Sequence, residues 1–166
     1  MPTQLSHTET TNQIHNKEIV VIADEIRSPE NVGMILRASE AFGSKEVIFL
    51  GNSPDLKNRK VKRTSRSAEK GLKTLFNQSQ RETIDNLKER GFTLIGLEIT
   101  DNSTPIKNFD FGKIDKLAIF IGNEKEGINS EILKELNTVL HFDLFGTNSS
   151  INVVNALSVA LYEVTR

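Results

Sequence analysis

The sequence of 166 residues contains no cysteine. This excludes disulfide bonds, thiolate metal sites and cysteine nucleophiles, and it is typical of a cytoplasmic protein. No apolar run is long enough to span a bilayer, and the polar first residues lack the apolar segment of a signal peptide. The length and the 37% hydrophobic content suffice for one domain with its own core. We therefore expect a cytoplasmic globular protein that has no membrane partner.

Common catalytic and nucleotide-binding patterns are also missing. The sequence has no P-loop, and no G-x-G-x-x-G follows its first apolar run, so the standard nucleotide fingerprints are excluded. The three histidines are poor metal ligands. His7 and His15 lie among the polar first residues, and His141 lies in a predicted strand, where a structural role is favoured. We therefore predict no metal site.

Short apolar runs alternate with amphipathic segments along most of the chain. This alternation predicts one α/β domain over residues 18–166, with a mostly parallel sheet that is covered by helices on both faces. Residues 1–17 are predicted to form a flexible polar tail. The strands are predicted at residues 18–23, 46–50, 92–97, 117–121 and 138–142, and the helices at residues 29–42, 79–90, 130–137 and after residue 150.

Three polar loops follow predicted strands, at residues 24–31, 122–127 and 143–152. In parallel sheets, ligands bind at the loops beyond the carboxyl ends of the strands. Because these ends meet at one edge of the sheet, the three loops are predicted to lie close together. We therefore expect the functional site to be built from them.

A basic segment spans residues 57–73. It holds eight basic residues and one acidic residue, a local charge of +7 in a chain whose net charge is −1. A basic island on an acidic body is typical of a phosphate-binding face, although a solvated loop would show the same composition. The segment is predicted to form a loop and a short helix.

The C-terminal segment, residues 146–166, passes from small polar residues into a dense apolar run. Ser149 and Ser150 are suitable helix N-caps, and the apolar residues that follow are too dense for a helix with one buried side. The helix is therefore predicted to be buried on most sides, within one domain or between two chains. Asn152 and Asn155 lie in its first turn, where a buried amide needs a partner.

Three short motifs add polar and glycine residues to this framework. The first is N-V-G-x-x-x-R, from Asn31 to Arg37, in which an arginine on a core-packed helix needs an acidic or phosphate partner. The second is G-N-E-K-E-G, which places Glu124 between glycines at a strand end. The third is S-I-N, from Ser150 to Asn152. Each motif alone also fits an ordinary surface helix, turn or helix cap.

Together, and in this order, the motifs resemble those of the SpoU (TrmH) family of RNA ribose 2′-O-methyltransferases, which belong to the SPOUT class. NVGMILRASEAFG is similar to the first family motif, LAIFIGNEKEGI to the second and SSINVVNALSVA to the third. The resemblance covers residues 18–166. It implies a C-terminal trefoil knot, S-adenosylmethionine as the cofactor, RNA as a partner, and a homodimer that forms through the last helix.

The resemblance also implies roles for single residues. Arg37 would act at the ribose 2′-hydroxyl, and Asn31 would orient Arg37 or the ribose. Glu124, Ser150 and Asn152 would position the target nucleotide. Seven residues would form the walls of the cofactor pocket: Leu97, Glu98, Ile121, Gly122, Phe142, Leu144 and Ile151. Six residues of the basic segment would hold RNA phosphates: Lys57, Arg59, Lys60, Lys62, Arg63 and Arg66.

The resemblance implies an RNA substrate and indicates which class of RNA it is. The segment GLEITDNSTPI resembles family members that methylate a guanosine in the tRNA D-loop, which favours tRNA over rRNA. The alternatives are an rRNA 2′-O-methyltransferase and a catalytically silent RNA-binding protein of the same fold. One stretch departs from the family pattern: Phe142-Asp143-Leu144 replaces a common I-P-M, so a carboxylate appears beside the implied pocket.

Overall fold

The computed structural model of the chain describes residues 3, 5 and 9–166. Its strands are β1 (Glu18–Asp24), β2 (Glu46–Leu50), β3 (Lys73–Gln78), β4 (Thr93–Leu97), β5 (Thr104–Pro105), β6 (Lys116–Ile121) and β7 (Thr138–His141). They form one sheet in the order β3-β2-β1-β6-β4-β7-β5, and all strand pairs among these residues are parallel. The predicted α/β class with a mostly parallel sheet is thus confirmed.

Helices connect the strands. They are α1 (Pro29–Ala41), α2 (Arg59–Ser65), α3 (Gln80–Glu89), α4 (Ser130–Leu133) and α5 (Val153–Thr165). The start of α1 follows from its sequence: Ser28 caps it by accepting the backbone N–H of Asn31, and Pro29 suits the first turn. Within the described part of the chain, no helix combines the length and apolar character needed to cross a membrane.

Apolar side chains fill two cores, one on each face of the sheet. In β1, Ile19 and Val21 join the core that contains residues of α1 and α5. Val20 and Ile22 join the opposite core, which contains residues of α3 and α4. Successive side chains of a strand point to opposite faces, so β1 is buried on both. Helices therefore cover both faces, as predicted. The polar loops lie at the edge formed by the carboxyl ends of the strands.

The sequence pattern does not predict two of the strands, β3 and β5. β3 lies at one edge of the sheet, and its residues are exposed or half-buried, so it lacks a continuous apolar run. β5 has two residues at the opposite edge, in a part of the chain where the sequence pattern predicts neither strand nor helix. Edge strands bury less surface than central ones, so hydrophobic patterning marks them weakly.

Helix α4 is shorter than predicted. It ends at Leu133, whereas the sequence pattern extends it to residue 137. Asn137 explains the difference: its backbone N–H donates to the carbonyl oxygen of Leu94, and its side-chain oxygen accepts the N–H of Leu94. These bonds draw the chain into the sheet one residue before β7 and stop the helix.

Helix α5 begins at a different cap from the predicted one. Asn152 is the N-cap, and its Oδ1 accepts the backbone N–H of Val154 at 2.8 Å. Ser149 and Ser150 precede the cap, in a segment without helix or strand. All three residue types suit an N-cap, so composition alone could not choose among them.

Helix α5 is also less buried than predicted. Leu157 and Leu161 are fully buried against the sheet, but Val159 and Tyr162 expose 46% and 58% of their surface. The single chain therefore does not bury this helix on most sides, and burial between two chains stays a prediction. Apolar density alone does not show whether a helix is covered by its own domain or by another chain.

The predicted tail contacts the domain at its end. His15 Nε2 lies 2.9 Å from the carbonyl oxygen of Phe42. Lys17 Nζ donates to the carbonyl oxygens of Phe111 and Ile114 at 2.6 and 2.9 Å. His7 lies outside the described residues, and the flexibility of the tail stays a prediction.

Candidate active site

A pocket of about 570 Å³ lies at the carboxyl ends of β4, β6 and β7. Its walls also include the loop after β6, the segment after β7 and the start of α5. All seven residues predicted for the cofactor pocket line it, as do Glu124, Ser150 and Asn152. The structure thus brings ten of the predicted site residues together, and their individual roles stay predictions.

The loop after β6 forms one wall through close backbone contacts. At Gly122, a Cβ would lie 2.0 Å from the carbonyl carbon of Gly127, so only glycine fits there. Asn123 and Gly127 exchange two backbone hydrogen bonds of 3.2 and 3.1 Å. Asn123 Oδ1 also accepts the N–H groups of the residues two and three positions later. The loop is therefore a fixed turn, with Glu124 at its tip.

Glu98 supports this loop from the opposite side. Its Oε1 accepts the N–H of Ile99 at 3.0 Å, and its Oε2 accepts the N–H of Ile128 at 3.1 Å. Gly127 has φ +69° and lies so close that a Cβ there would be 2.2 Å from Glu98 Oε2. Glu98 therefore braces the pocket wall through its carboxylate, in addition to lining the pocket.

Side chains from all three motifs meet at one side of the pocket. Asn31 Nδ2 donates to Glu124 Oε1, and Asn152 Nδ2 donates to Asn31 Oδ1 at 3.3 Å. Two helix starts position this polar cluster, because Asn31 lies in the first turn of α1 and Asn152 caps α5. Asn31 is buried, and both ends of its amide are hydrogen-bonded, which removes the cost of burying it.

Arg37 does not join this polar cluster. It follows Asn31 by six residues, about 9 Å along the axis of α1, and it is exposed. Within the described part of the chain, it has no hydrogen bond or ion pair. The acidic or phosphate partner that the sequence predicts for it is therefore not supplied by those residues.

Asp143, which brings a carboxylate where the family pattern has none, does not line the pocket. Lys107 Nζ pairs with Asp143 Oδ2 at 2.5 Å, and this hydrogen bond holds the pKa of Asp143 below its usual value. His141 Nε2 lies 4.0 Å from Asp143 Oδ1, and its Nδ1 lies 3.0 Å from Ser103 Oγ. Among the described residues, no three such side chains group as metal ligands. No sequence signal pointed to Lys107.

The basic segment runs along α2, which packs against α1. Lys60 pairs with Glu30 at 3.1 Å, close to the start of α1. All six residues predicted to hold RNA phosphates are exposed. Five of these side chains form no ion pair with any described residue: Lys57, Arg59, Lys62, Arg63 and Arg66.

A second pocket, of about 620 Å³, opens at the carboxyl ends of β1, β2 and β3. Asn123 and Gly127 line both pockets, so the loop after β6 separates them. Asp24 lines the second pocket and is 6% exposed, and its Oδ2 accepts the N–H of Asn129 at 2.9 Å. Burial raises the pKa of Asp24, the bond from Asn129 opposes this rise, and the charge of Glu25 adds to it. The predicted polar loops at residues 24–31 and 122–127 both line this pocket, but no sequence signal pointed to a role for Asp24.

The substitution Asp24→Asn is expected to raise the free energy of unfolding at neutral pH. A carboxyl whose pKa is raised by folding favours the folded state below its unfolded pKa, near 3.8, and this contribution is lost as the pH rises through the folded pKa. An asparagine oxygen can still accept the N–H of Asn129 but carries no charge. Denaturant unfolding near pH 4 and pH 7 checks this, because the gain should be larger at pH 7. A loss of stability at pH 7 would contradict it.

The sequence pattern of a family described as the SpoU rRNA Methylase family matches residues 18–162. The chain belongs to this family. A Staphylococcus haemolyticus protein assigned to the TrmH family of tRNA/rRNA methyltransferases is 31% identical to it over 147 residues. The mouse tRNA (guanosine(18)-2′-O)-methyltransferase TARBP1 is 29% identical over 155 residues. Both alignments cover 89% of this SpoU chain, but they cover 58% and 9% of those two proteins.

Solved SpoU structures share the fold. The methyltransferase AviRb of Streptomyces viridochromogenes, in complex with the cofactor AdoMet (S-adenosylmethionine), gives a TM-score of 0.83 at 25% identity over 92% of this chain and 61% of AviRb. An AdoMet-bound rRNA methyltransferase of Sinorhizobium meliloti gives 0.82 at 23% identity, over 91% of this chain and 57% of that one. The SpoU chain therefore spans about three fifths of the length of these relatives.

Proposed function

We propose that the chain is an S-adenosylmethionine-dependent RNA methyltransferase that acts on a ribose 2′-hydroxyl. The polar cluster of Asn31, Glu124 and Asn152, at the side of a pocket lined by the seven predicted cofactor residues, carries this proposal. Membership of the SpoU family and the relatives solved with AdoMet support the cofactor. The resemblance of the three motifs supports the 2′-hydroxyl as the acceptor.

The pocket fits S-adenosylmethionine in size and chemistry. Its volume of about 570 Å³ lies inside the usual range for small-molecule sites, roughly 300–1,000 Å³. Leu97, Ile121 and Ile151 give it apolar walls on which an adenine could pack. The carboxylates of Glu98 and Glu124 line the same pocket and would favour a cationic sulfonium.

The polar cluster can hold the ribose that is methylated. S-adenosylmethionine, when bound, would supply an electrophilic methyl group and would leave as the neutral thioether. The 2′-hydroxyl has to lose its proton, to Arg37 or to an RNA phosphate, as its oxygen attacks. Asn152 holds Asn31, and Asn31 holds Glu124, so the Glu124 carboxylate is oriented before RNA binds. A fixed acceptor at the pocket side would orient the hydroxyl of the bound nucleotide.

Arg37 is proposed to activate this hydroxyl. A guanidinium is nearly always protonated, so stabilisation of the developing negative charge, together with an RNA phosphate, is the simpler role. Removal of the proton by Arg37 itself would require a strongly perturbed group. Because Arg37 is exposed and about 9 Å along the helix from Asn31, the RNA or a second chain must bring the hydroxyl and Arg37 together.

We infer that two copies of the chain associate through α5. Val159 and Tyr162 expose apolar surface on this helix, and Met34 is 41% exposed on the neighbouring helix α1. Burying such side chains against a second copy would remove apolar area from water and stabilise the pair. Arg37 is exposed on α1 as well, so an interface here would bring it against the partner chain.

The substitution Tyr162→Glu is expected to convert the protein from a dimer to a monomer at micromolar concentration. It places a charge in the apolar centre of the proposed interface, where an unpaired ion is costly. Sedimentation velocity measures the mass of both proteins. Phe145→Glu is the matched control, because Phe145 is 95% exposed and lies outside α1 and α5. A wild-type monomer, or an unchanged dimer of the variant, would contradict the interface.

We also propose the C-terminal trefoil knot that the motif resemblance implies. β7 is inserted between β4 and β5, although β4 and β5 come first and are joined by a short connection. The chain then returns to α1, where Asn152 contacts Asn31. A late strand that lies between two earlier ones, followed by a return of the chain to α1, supports the proposed knot.

The proposed substrate is tRNA, with a D-loop guanosine as the specific candidate. The segment from residue 96 to 106 supports this through its resemblance to such enzymes, and one relative acts on guanosine 18 of tRNA by its name. An rRNA substrate is the alternative, since the family and one structural neighbour are named for rRNA.

Methyl transfer from labelled S-adenosylmethionine to unmodified tRNA and rRNA transcripts tests the proposal. We expect label in tRNA, recovered after digestion as a 2′-O-methylnucleoside. Label in rRNA alone would keep the chemistry and replace the substrate. Label on a base would contradict the 2′-hydroxyl. RNA binding without methyl transfer or cofactor binding would identify a silent RNA-binding protein.

Removing charges from the basic segment is expected to lower the affinity for RNA. It is also expected to make this affinity less dependent on salt concentration. Three alanines, at Lys62, Arg63 and Arg66, remove exposed charges that no described residue pairs. Each lost phosphate contact lowers the slope of log affinity against log salt by about 0.7 to 0.9, so the slope should fall by about 2. Filter binding of tRNA across a salt series measures it.

A matched triple variant controls for the change in net charge. Alanines at Arg81, Lys88 and Lys134 remove three charges from α3 and the region of α4, where all three form ion pairs. This variant should keep the wild-type slope to within about 0.5. Equal losses in both variants would show that net charge, and not the basic segment, governs the affinity.

A further inference from the structure

The second pocket contains two carboxylates without cationic partners. Asp24 is 94% buried, and its Oδ1 makes no hydrogen bond to any described residue, while Oδ2 is held by Asn129. Glu25 has φ +47°, a conformation that is uncommon outside glycine, and it folds its carboxylate over Gly51. It likewise has no ion pair or side-chain hydrogen bond within the described chain. The pocket therefore presents two carboxylates that are not paired with any described cation.

This acceptor-rich pocket adjoins the proposed reaction site. Asn123 and Gly127 line it on one side and line the cofactor pocket on the other. β6, which precedes this loop, pairs with β1, which ends at Asp24, so the ends of these two strands lie about 4.8 Å apart. A nucleotide whose ribose lies at the polar cluster can therefore reach the second pocket with its base.

The negative charge of the pocket favours the base of a nucleotide over its phosphate. Two unpaired carboxylates repel a phosphate, and the exposed cations of the basic segment are a better site for that group. Glu126 is neutralised by Arg27 at 3.2 Å and does not change this balance. A base edge that offers adjacent N–H donors matches the pocket, because carboxylates accept such bonds strongly.

We propose that this pocket binds the Watson–Crick edge of the base to be modified and selects guanine through Asp24. Guanine offers two adjacent donors on that edge, N1–H and the N2 amine, whereas the other bases do not. Glu25 supplies the second acceptor. Gln80, in the same wall, has an amide nitrogen without a partner and would reach the O6 carbonyl after a rotation of its side chain. This inference rests on the proposed function and names its base.

Nucleotide binding tests the pocket without any methyl transfer. Guanosine 5′-monophosphate and inosine 5′-monophosphate are titrated into the protein and followed by backbone amide chemical shifts. Shifts are expected at Gly51, Gly127 and Asn129. Inosine lacks the N2 amine, so it should bind about 10-fold more weakly, the usual worth of a hydrogen bond to a charged group. In Asp24→Asn the two nucleotides should bind equally, while S-adenosylmethionine affinity stays unchanged.

Glu131→Gln is the matched control, because Glu131 is an exposed carboxylate outside both pockets. It should keep the 10-fold preference. Equal binding of both nucleotides by wild type, or shifts confined to the basic segment, would overturn the inference. Loss of the shifts on adding magnesium would overturn it too, since the carboxylates would then form a cation site.

The identity of the methylated nucleoside in the RNA product shows whether the guanine pocket, the proposed function or both are correct. If wild type forms 2′-O-methylguanosine and Asp24→Asn forms much less, both stand. If it forms another 2′-O-methylnucleoside, the guanine pocket fails and the proposed function stands. If no RNA is methylated but the guanosine preference persists and depends on Asp24, the pocket stands and the proposed function fails.

Discussion

Replacing Arg37 with alanine should lower kcat for methyl transfer by at least about 100-fold, the lower end of what one donor to a developing negative charge contributes. The affinity for S-adenosylmethionine should change less than about twofold, because Arg37 does not line the pocket. Stability should also hold, because the side chain is exposed and has no partner in the described chain. Single-turnover kinetics and calorimetric cofactor binding measure the two effects separately.

Two further variants sharpen this prediction. Arg81→Ala removes an exposed arginine from α3, on the other face of the sheet, and should leave kcat within about twofold. Arg37→Lys keeps the charge but loses the planar fork of donors, so partial activity would separate charge from geometry. An Arg37→Ala protein within about 10-fold of wild type would rule out the proposed role.

Replacing Gly122 with alanine should lower the affinity for S-adenosylmethionine by about 100-fold, near the upper end of what overpacking costs. The new Cβ would lie 2.0 Å from the carbonyl carbon of Gly127 and 2.2 Å from the nitrogen of Ile128. Both are backbone atoms, so the loop has to open, and overpacking of this kind costs about 1–3 kcal/mol. Cofactor titration and thermal unfolding measure the two losses.

Gly146→Ala is the matched control for this variant. Gly146 lies in the segment after β7, and a Cβ there would have no atom within 4 Å. Its cofactor affinity and melting temperature should equal those of wild type. Tight cofactor binding by Gly122→Ala would show that the cofactor does not use this loop. Mixing Gly122→Ala with Arg37→Ala adds a test of the dimer, because regained activity would show that one chain supplies Arg37 to its partner's pocket.

The central strands of the sheet could be predicted because strands that are buried on both faces appear in the sequence as continuous apolar runs. The prediction for β2 matches the structure, and that for β1 ends one residue early. The edge strands β3 and β5 could not be predicted, since partial exposure leaves no such run. The end of α4 was missed because it depends on hydrogen bonds from Asn137 to another strand.

The candidate site was predictable to the extent that motif resemblance names residues. It named Asn31, Glu124 and Asn152, but not the order in which their side chains bond. That order depends on how the two helix starts meet, which no local pattern encodes. The pairing of Asp143 with Lys107 was out of reach for the same reason, as was the acidic pocket around Asp24.

The polar cluster can form only late in synthesis of the chain, because its residues are far apart in the sequence. Asn31 and Asn152 are 121 residues apart in the chain, and Asn31 and Glu124 are 93 apart. While the ribosome is still making the chain, the basic segment has already been made, but the amides of Asn31 and Asn152 have not yet met. Contacts between distant residues in a parallel sheet also form slowly. On the proposed function, a growing chain could therefore hold RNA before it can modify it, and methylation capacity should appear only once the last helix has been made and has packed against α1.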